Sequence, residues 1–590
     1  MFWRKRKHSD FQAEIQSHLD IESDELAEEG SNPGDAKYQA RREFGNVTGS
    51  EERFYESSRW VWLEQFVQDL RYGIRMLRRS PAFTLVAVLS LALGIGANTA
   101  VFSLVDAVML KSLPVRAPGE LRILTWVHSD KEPDISHSGY NTLDSLTGQH
   151  VSGSFSYAAY RQFRDSVPQF SDLVAYAPNQ FTVTADGASE FADGQFVSGN
   201  YFTGLGAQPL IGRSILPEDD ATGRPIVVVL TYRYWEKRFA MDPSVIGRAI
   251  AVNQQPVSVV GVMQPAFQGL YSWEAVDLFV PITAVAELRH PWFSLTQPNS
   301  WWVQIFGRLR PGISDQSAAV MLKATLGHTV EQFAKNAEVP TVLLRPGVRG
   351  VGLLRESVST SLAILSAVVG LILLIACTNL ANLLVARSAA RGREIAVRLS
   401  IGAGVGRLIR QLLTESLVLA GAGGLLGVVL ARPLLQVMLR FVGAGQYNGP
   451  ALDARIDLRT LAFTAGATLL AAVLFGLLPA WRATRVNLSP ALKGTKTAGS
   501  SPRLRRLLVS VQVGLSLLLL VGAGLFVRTL QRLSAVDLGF RAEHVLTFQT
   551  DPSRNGYEGR RLADLYTRLR ENIAAIPGVE SVAMSQHGLM

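Results

Sequence analysis

A single cysteine, Cys377, occurs in 590 residues, so no disulfide can form within the chain and cysteine usage does not reveal the redox compartment. It lies inside an apolar run and reads as a small core residue. The dipeptide Gly-Lys never occurs, which removes any G-x-x-x-x-G-K-[ST] loop for cradling nucleotide phosphates. The nine histidines are scattered without H-E-x-x-H or Cys/His ligand spacing, and no G-x-S-x-G nucleophile elbow is present. The chain therefore reads as no enzyme, with no metal or cofactor of its own. Charge is sparse too: 18% of residues are charged against 48% hydrophobic. At this length that composition points to a membrane protein with sizeable soluble parts.

The net charge is +9, but the arginines sit beside apolar runs and form no single binding face, so they report membrane topology and no nucleic-acid partner is expected. Crossing about 30 Å of hydrocarbon at about 1.5 Å per residue takes some 20 apolar residues. Five runs qualify, at 83–110, 357–386, 411–440, 460–481 and 507–530. The first is too long, and starts too late, for a cleaved signal peptide.

Orientation follows from the basic residues of the short connections. Arg71, Arg75, Arg78 and Arg79 precede the first run; Arg387, Arg391, Arg393, Arg398, Arg407 and Arg410 lie between the second and third; Arg482, Arg485, Lys493, Lys496, Arg503, Arg505 and Arg506 follow the fourth. This places 1–80, 387–410 and the linker 482–506 in the cytoplasm. Residues 111–356, the loop around 441–459 and the segment 531–590 then face outside. In that loop Asp453 and Asp457 balance Arg455 and Arg459.

The fold class expected is a multi-pass α-helical membrane protein with a large α+β extracytoplasmic domain and an N-terminal cytoplasmic helical prefix. In the prefix, two charged helices flank "SNPG", and "RWVWLEQFVQDLRYGIRMLRRSP" suits a helix lying at the bilayer surface. In the outer segment, 225–230 reads as a buried strand, "YRYWEKRF" as a helix, 249–252 with 257–262 as a hairpin around "NQQP", "WWVQIFGRLRPG" as a strand and 314–336 as a helix. Tyr232, Tyr234 and Trp235 read as core aromatics.

The loop "RGREIAVRLSIGAGVGRLIRQLLTESL" at 391–417 carries a second pattern. Glu394 and Arg398 are spaced i,i+4 in the favoured order, and Ile395 and Leu399 form an apolar pair at the same spacing. "IGAGVG" then breaks that helix. By itself this fits either a basic interfacial anchor or a helix that docks a cytoplasmic protein. Within the runs, Gly94, Gly96 and Asn98 of the first and Gly423 and Gly427 of the third read as helix packing, ahead of a substrate path. Glu415, near the cytoplasmic edge, is expected to stay hydrated.

"REIAVRLSIGAGVGRLIRQLLTESLVLA" resembles the cytoplasmic loop and third helix of FtsX/MacB-type ABC transporter permeases. "LALGIGANTAVFSLVDAVMLKSLPV" at 91–115, "VSGNYFTGLGAQPLIGRSILPEDD" at 197–220 and "VVVLTYRYWEKRFAMDPSVIGRAIAVNQQPVSVVGVMQPAFQG" at 227–269 are similar to the same group, the last to its MacB-like periplasmic core domain. With its prefix, the chain most resembles duplicated orphan permeases of acidobacterial type. "RLRRLLVSVQVGLSLLLLVGAGLFVRTL" looks like the start of a second repeat, and "RAEHVLT" loosely echoes "RAPGELRILT", so 531–590 is expected to be a truncated second extracytoplasmic domain.

The resemblance implies an inner (cytoplasmic) membrane protein in which Arg393, Glu394, Ile395, Arg398 and Leu399 form a coupling helix docked into a separate ABC ATPase subunit that binds ATP and Mg. It implies a porter-like subdomain and a β-rich insertion in 111–356, a pseudo-dimer within a full-length duplicated chain, and a periplasmic adaptor with an outer-membrane duct as further partners. The expected function is a permease subunit that couples the ATPase to the outer domain by mechanotransmission, for export or envelope remodelling. The alternative is a non-transporting relay that controls an outer partner such as a cell-wall hydrolase.

Overall fold

The computed structural model describes residues 8–28, 32–45, 61–129, 133–139, 141–143, 148–270, 276–288, 292–351, 353–390, 405–442, 456–483, 502–535, 545–548 and 559–585, with single positions besides. Two compact units are present. One comprises 1–99, 369–430 and 462–522; the other comprises 100–368, 431–461 and 523–590.

Five helices are long and apolar enough to cross a membrane: Pro81–Leu110, Val358–Arg387, Gly406–Arg440, Leu458–Leu477 and Val509–Leu533. In the first unit the first four pack through Leu91 and Ile95, Cys377, Leu380 and Ala381, Leu419 and Ala420, and Ala471 and Phe475, so Cys377 is a core residue as expected. Lipid tails are as apolar as leucine, so such helices associate by close packing, which favours small residues. The fifth helix buries none of its apolar window, and Asn382 Nδ2 donates to its Gln512 Oε1 over 3.4 Å.

The prefix forms the helices His8–Glu28 and Pro33–Phe44, which bury Ile15 and Leu19, and Ala36 and Ala40. Proline at the first position of the second helix costs no hydrogen bond, because that N–H has no intrahelical partner. A third helix, Val61–Arg78, leads to the first span.

In the other unit, the outer halves of the first three spans meet at Ala100, Leu104, Leu362, Ala431 and Leu435. Beyond them stands a mixed α+β domain whose strands, among the described residues, join one hydrogen-bonded network of fourteen. Its spine is the strand Phe170–Ala185, which turns at Asp186 and Gly187, both with positive φ, into Ala188–Val197. An Asp-Gly pair suits a two-residue hairpin, since both central residues need left-handed backbone.

The first half of the spine pairs antiparallel with Ser300–Leu309, followed by Leu121–Val127 and Thr341–Pro346. Helices Tyr157–Ser166 and Asp315–Val330 pack on that open half, capped by Ser156 Oγ accepting from Ala159 N and Ser314 Oγ accepting from Ser317 N. The second half belongs to a closed ring. From Ala188–Val197 the pairing passes through Leu278–Pro281, Val227–Leu230, Gln255–Met263 and Ala249–Val252, then returns to the spine at Val183 and Thr184.

Several expected elements shift by a few residues. The hairpin turn is tighter, with Asn253 and Gln254 alone at its tip and both at positive φ. The strand expected from 225 begins at Val227, and the helix expected to 336 ends at Val330. Tyr234 and Trp235 are buried, and Tyr232 packs edge-on against Trp235 with ring centroids 5.8 Å apart, so these aromatics build core.

Where the domain joins the membrane helices, its entering and leaving strands are tied together. Leu113 N donates to Val348 O (2.9 Å), Gly347 N to Leu121 O (2.8 Å) and Val351 N to Leu270 O (3.3 Å). Gly350 has φ +73° and faces the Leu270 carbonyl, where a side chain has no room. Arg308, 4% exposed, donates to Arg116 O (2.6 Å) and Ala117 O (2.9 Å) and meets Glu120 Oε2 at 3.2 Å.

Arg308→Leu would take the guanidinium donor from the Arg116 and Gly204 carbonyls, while Ala117 O keeps Glu120 N, at about 1–3 kcal/mol for each carbonyl left unsatisfied. The expected result is faster amide exchange at 113–120 and a lower unfolding midpoint, with Arg308→Lys falling between the variant and the parent. Unchanged exchange in the leucine variant would remove Arg308 from the junction.

Candidate coupling site

Arg393, Glu394, Ile395, Arg398 and Leu399 lie outside the described residues. The described residues nearby are Val397 and Ile401, both exposed, with Ile401 N donating to Val397 O over 3.1 Å, a helical i→i−4 bond. The helices on either side, Leu353–Ala390 and Val405–Val442, are each 38 residues long.

Both ends of this connection are held by the segment that precedes and opens the first span. Arg387, at the end of the second span, donates from Nη2 to Ser80 Oγ (2.7 Å), and its guanidinium stands 4.7 Å from the Phe83 ring centre, a cation–π distance. Arg410, at the start of the third span, pairs through Nε with Asp69 Oδ2 at 3.1 Å. One turn further along the Val61–Arg78 helix, Gly73 faces the third span at ordinary packing distance. A Cβ there would lie 3.6 Å from Val418 Cγ2 and 3.8 Å from Glu415 Cα.

Glu415 departs from expectation. It is 6% exposed, because the third span packs against the Gly73 surface at this level. The Asp69 contact is one that periodicity could not supply, although Asp69 stands out as an acid beside Arg71, Arg75, Arg78 and Arg79.

The small and polar residues of the first span gather three other helices around it. A Cβ on Gly96 would sit 2.9 Å from Gly427 O, and one on Gly427 would sit 3.1 Å from Gly96 N, so the two backbones touch. Gly94 faces Leu373 of the second span, and Gly423 faces Leu91 of the first. Asn98 Nδ2 donates to Gly94 O and to Val369 O, both at 2.8 Å, which joins the first and second spans. Thr99 Oγ1 lies 3.0 Å from Thr464 Oγ1 and adds the fourth. Thr464 was invisible to a reading of single runs, because its partner lies 365 positions away.

In the other unit, the first span ends in a π-helical turn, Asp106–Leu110. Asp106 is 5% exposed, and its Oδ1 lies 3.8 Å from Nη1 of Arg459, the second residue of the fourth span. Asp457 caps that span: its Oδ1 accepts Thr460 N at 2.9 Å, a bond that holds the carboxyl below its usual range. Arg459 thus serves Asp106, and Asp457 serves a helix terminus, where the sequence alone suggested only charge balance. Among the described residues, no cluster of His, Cys, Asp and Glu could hold a metal. The arrangement holds helices together.

Residues 84–325 match the family described as MacB-like periplasmic core domain, and residues 366–488 match the FtsX-like permease C-terminal family. The macrolide export ATP-binding/permease protein MacB of Neisseria gonorrhoeae is 24% identical over 456 residues, covering 75% of this chain and 63% of its own length. That of Escherichia coli K12 is 24% identical over 470 residues, 76% of this chain and 64% of its own. The chain therefore spans less than two thirds of these relatives. The periplasmic region of MacB from Actinobacillus actinomycetemcomitans is 13% identical, covering 40% of this chain and 92% of its own, with a TM-score of 0.28. By these matches the chain is similar to the MacB-like periplasmic core domain over 84–325 and to the FtsX-like permease C-terminal family over 366–488, and it resembles MacB proteins at 24% identity.

Proposed function

We propose that this chain is the permease subunit of an ABC-type system in which a separate ATPase, carrying ATP and Mg, drives the outer domain by mechanotransmission, in export or envelope remodelling. The observation that carries this reading is the unbroken helix Leu353–Ala390. Its 38 residues amount to about 57 Å at 1.5 Å each. It starts two residues beyond Val351, which is bonded to the outer domain at Leu270, and it ends where the cytoplasmic loop begins. A shift at one end of such a rod reaches the other without any substrate entering the bilayer. The absence of a Gly-Lys dipeptide supports placing ATP on another polypeptide, whereas the MacB relatives are named for both ATP binding and permease activity. The prefix and the fifth helix support the finer reading of a duplicated orphan permease whose two halves pair. An adaptor and an outer-membrane duct are the partners this reading implies.

Purification from native membranes is expected to bring down an ABC ATPase; recovery without any ATPase would count against the proposal. The proposal also puts the N-terminus and 387–410 in the cytoplasm. On a Cys377→Ala background, Asp24→Cys is expected to react with an impermeant maleimide only after the inner membrane is opened. Ser166→Cys, exposed on the outer domain, is expected to react without that step. The reverse pattern would overturn the orientation.

A further inference from the structure

The helix Val61–Arg78 has two sides of different character. Asp69, Gly73 and Leu77 recur every four residues and form the side that packs on other helices: Asp69 pairs with Arg410, Gly73 faces Glu415 and Val418, and Leu77 is buried in one cluster with Leu380 and Leu384. Arg71, Arg75 and Arg78 stand at i, i+4 and i+7, two positions out of step with that stripe. At about 3.6 residues per turn, two positions carry a side chain to the opposite side. All three arginines are exposed, as is Arg79 just past the helix end. Val67 and Ile74, seven residues apart and 37% and 39% exposed, lie between the two sides.

The charge along this stretch is of one sign. From 67 to 80 the sequence holds one acid, Asp69, against four arginines, and that acid is taken by Arg410. The helix is also held where the first span begins. Two residues separate its end at Arg78 from Pro81, and Thr84 Oγ1 reaches back to donate to Leu77 O over 2.9 Å. An arginine-bearing side fixed at the end of a spanning helix stands at the depth of lipid headgroups.

We propose that the exposed side of this helix binds anionic phospholipid of the adjoining leaflet, with Arg71, Arg75 and Arg78 on headgroup phosphates and Val67 and Ile74 against the upper acyl chains. A guanidinium meets phosphate through two parallel N–H bonds and is more weakly hydrated than an ammonium, so three of them on one side suit a layer of phosphates. The apolar flank favours lipid over other polyanions. Beside a headgroup it meets hydrocarbon, whereas a nucleic acid backbone or an acidic peptide tail offers it only polar surface. Lipid bound here stabilises the packed form of the helix, since a ligand stabilises the state that it binds. The inference goes beyond the coupling proposed above and does not use the loop at 391–404, so either can fail without the other.

The test is native mass spectrometry of the full chain in detergent, titrated with dioleoylphosphatidylglycerol and, separately, with dioleoylphosphatidylcholine. Saturable binding of the anionic lipid in preference to the zwitterionic one is expected, weakened about tenfold or more by Arg71→Gln, Arg75→Gln and Arg78→Gln together. Lysine at the same three positions keeps the charge without the fork, and its binding is expected to fall between. Arg224→Gln, Lys237→Gln and Lys335→Gln remove as much charge from exposed positions of the outer domain and are expected to leave binding unaltered. The glutamine variant changes exposed side chains only, so it is expected to fold, with parental amide exchange at 69–78 as the check. Equal binding of the two lipids by the parent chain would overturn the proposal, as would parental binding in the glutamine variant or an equal loss in the outer-domain control. So would an oligonucleotide or polyglutamate that binds through the three arginines while the anionic lipid does not.

Discussion

Glu394→Lys combined with Ile395→Ala is expected to leave membrane insertion and expression intact while weakening ATPase association by about a hundredfold, or uncoupling hydrolysis from the outer domain. Insertion survives because the loop becomes more positive and still satisfies the rule that places basic loops in the cytoplasm. Association suffers because burying a mismatched charge and losing an apolar anchor each cost about 1–3 kcal/mol at an interface, and about 2.8 kcal/mol corresponds to a hundredfold. An interfacial anchor would need the positive charge and the apolar face but not Glu394 itself. The comparison is made by pull-down and by ATP turnover of the reconstituted complex. Parental values for both in the double variant would leave only an anchor. The contacts of Arg387 with Ser80 and Phe83 and of Arg410 with Asp69 tie both flanks of the loop to the segment before the first span, which under the proposed coupling gives the effect a mechanical route.

The second large effect is expected at Gly96. Leucine there would drive its Cβ to 2.9 Å from the Gly427 carbonyl, a backbone atom that cannot rotate away. Overpacking of this kind costs about 1–3 kcal/mol, and the first and third spans must separate to relieve it. Their separation would also disturb Asn98 and Thr99, which bond to the second and fourth spans. Gly370→Leu and Gly466→Leu provide controls in neighbouring spans, because a Cβ at either position meets nothing within 4 Å. Thermal unfolding in detergent should show a midpoint lowered by roughly 5 °C or more for Gly96→Leu and little changed for the controls. Equal destabilisation by all three would mean that any added bulk is harmful and that the Gly96–Gly427 contact has no special weight.

The spans and the outer domain were legible because their signals are local. A run of some 20 apolar residues can hardly be satisfied except by crossing a membrane or filling a large core. The alternation in 249–262 likewise fixes a hairpin to within a residue or two. Gly96 and Gly427 stood out as small residues where bulk was expected. Their mutual contact did not, since it depends on how two helices 331 positions apart in sequence are rotated. The same limit hid Asp69–Arg410, separated by 341 positions. Closure of the strand ring was equally hidden, because it rests on Val183 and Thr184 meeting Val252 and Ala251 through parallel and antiparallel pairings that no periodicity encodes. Glu415 misled for a related reason: its depth was judged from its own helix, whereas Gly73 of another helix covers it.

The central claim is that ATP turnover on a cytoplasmic partner moves the outer domain through this chain. Its most direct test is hydrogen exchange of 113–120 and 347–351, the junction held by Arg308 and Gly350, in the complex with its co-purified ATPase. Exchange there is expected to change between the nucleotide-free and ATP-hydrolysing complexes, and to stay constant when the permease carries Glu394→Lys with Ile395→Ala. Identical exchange in the two nucleotide states, or the same change in the double variant, would contradict it.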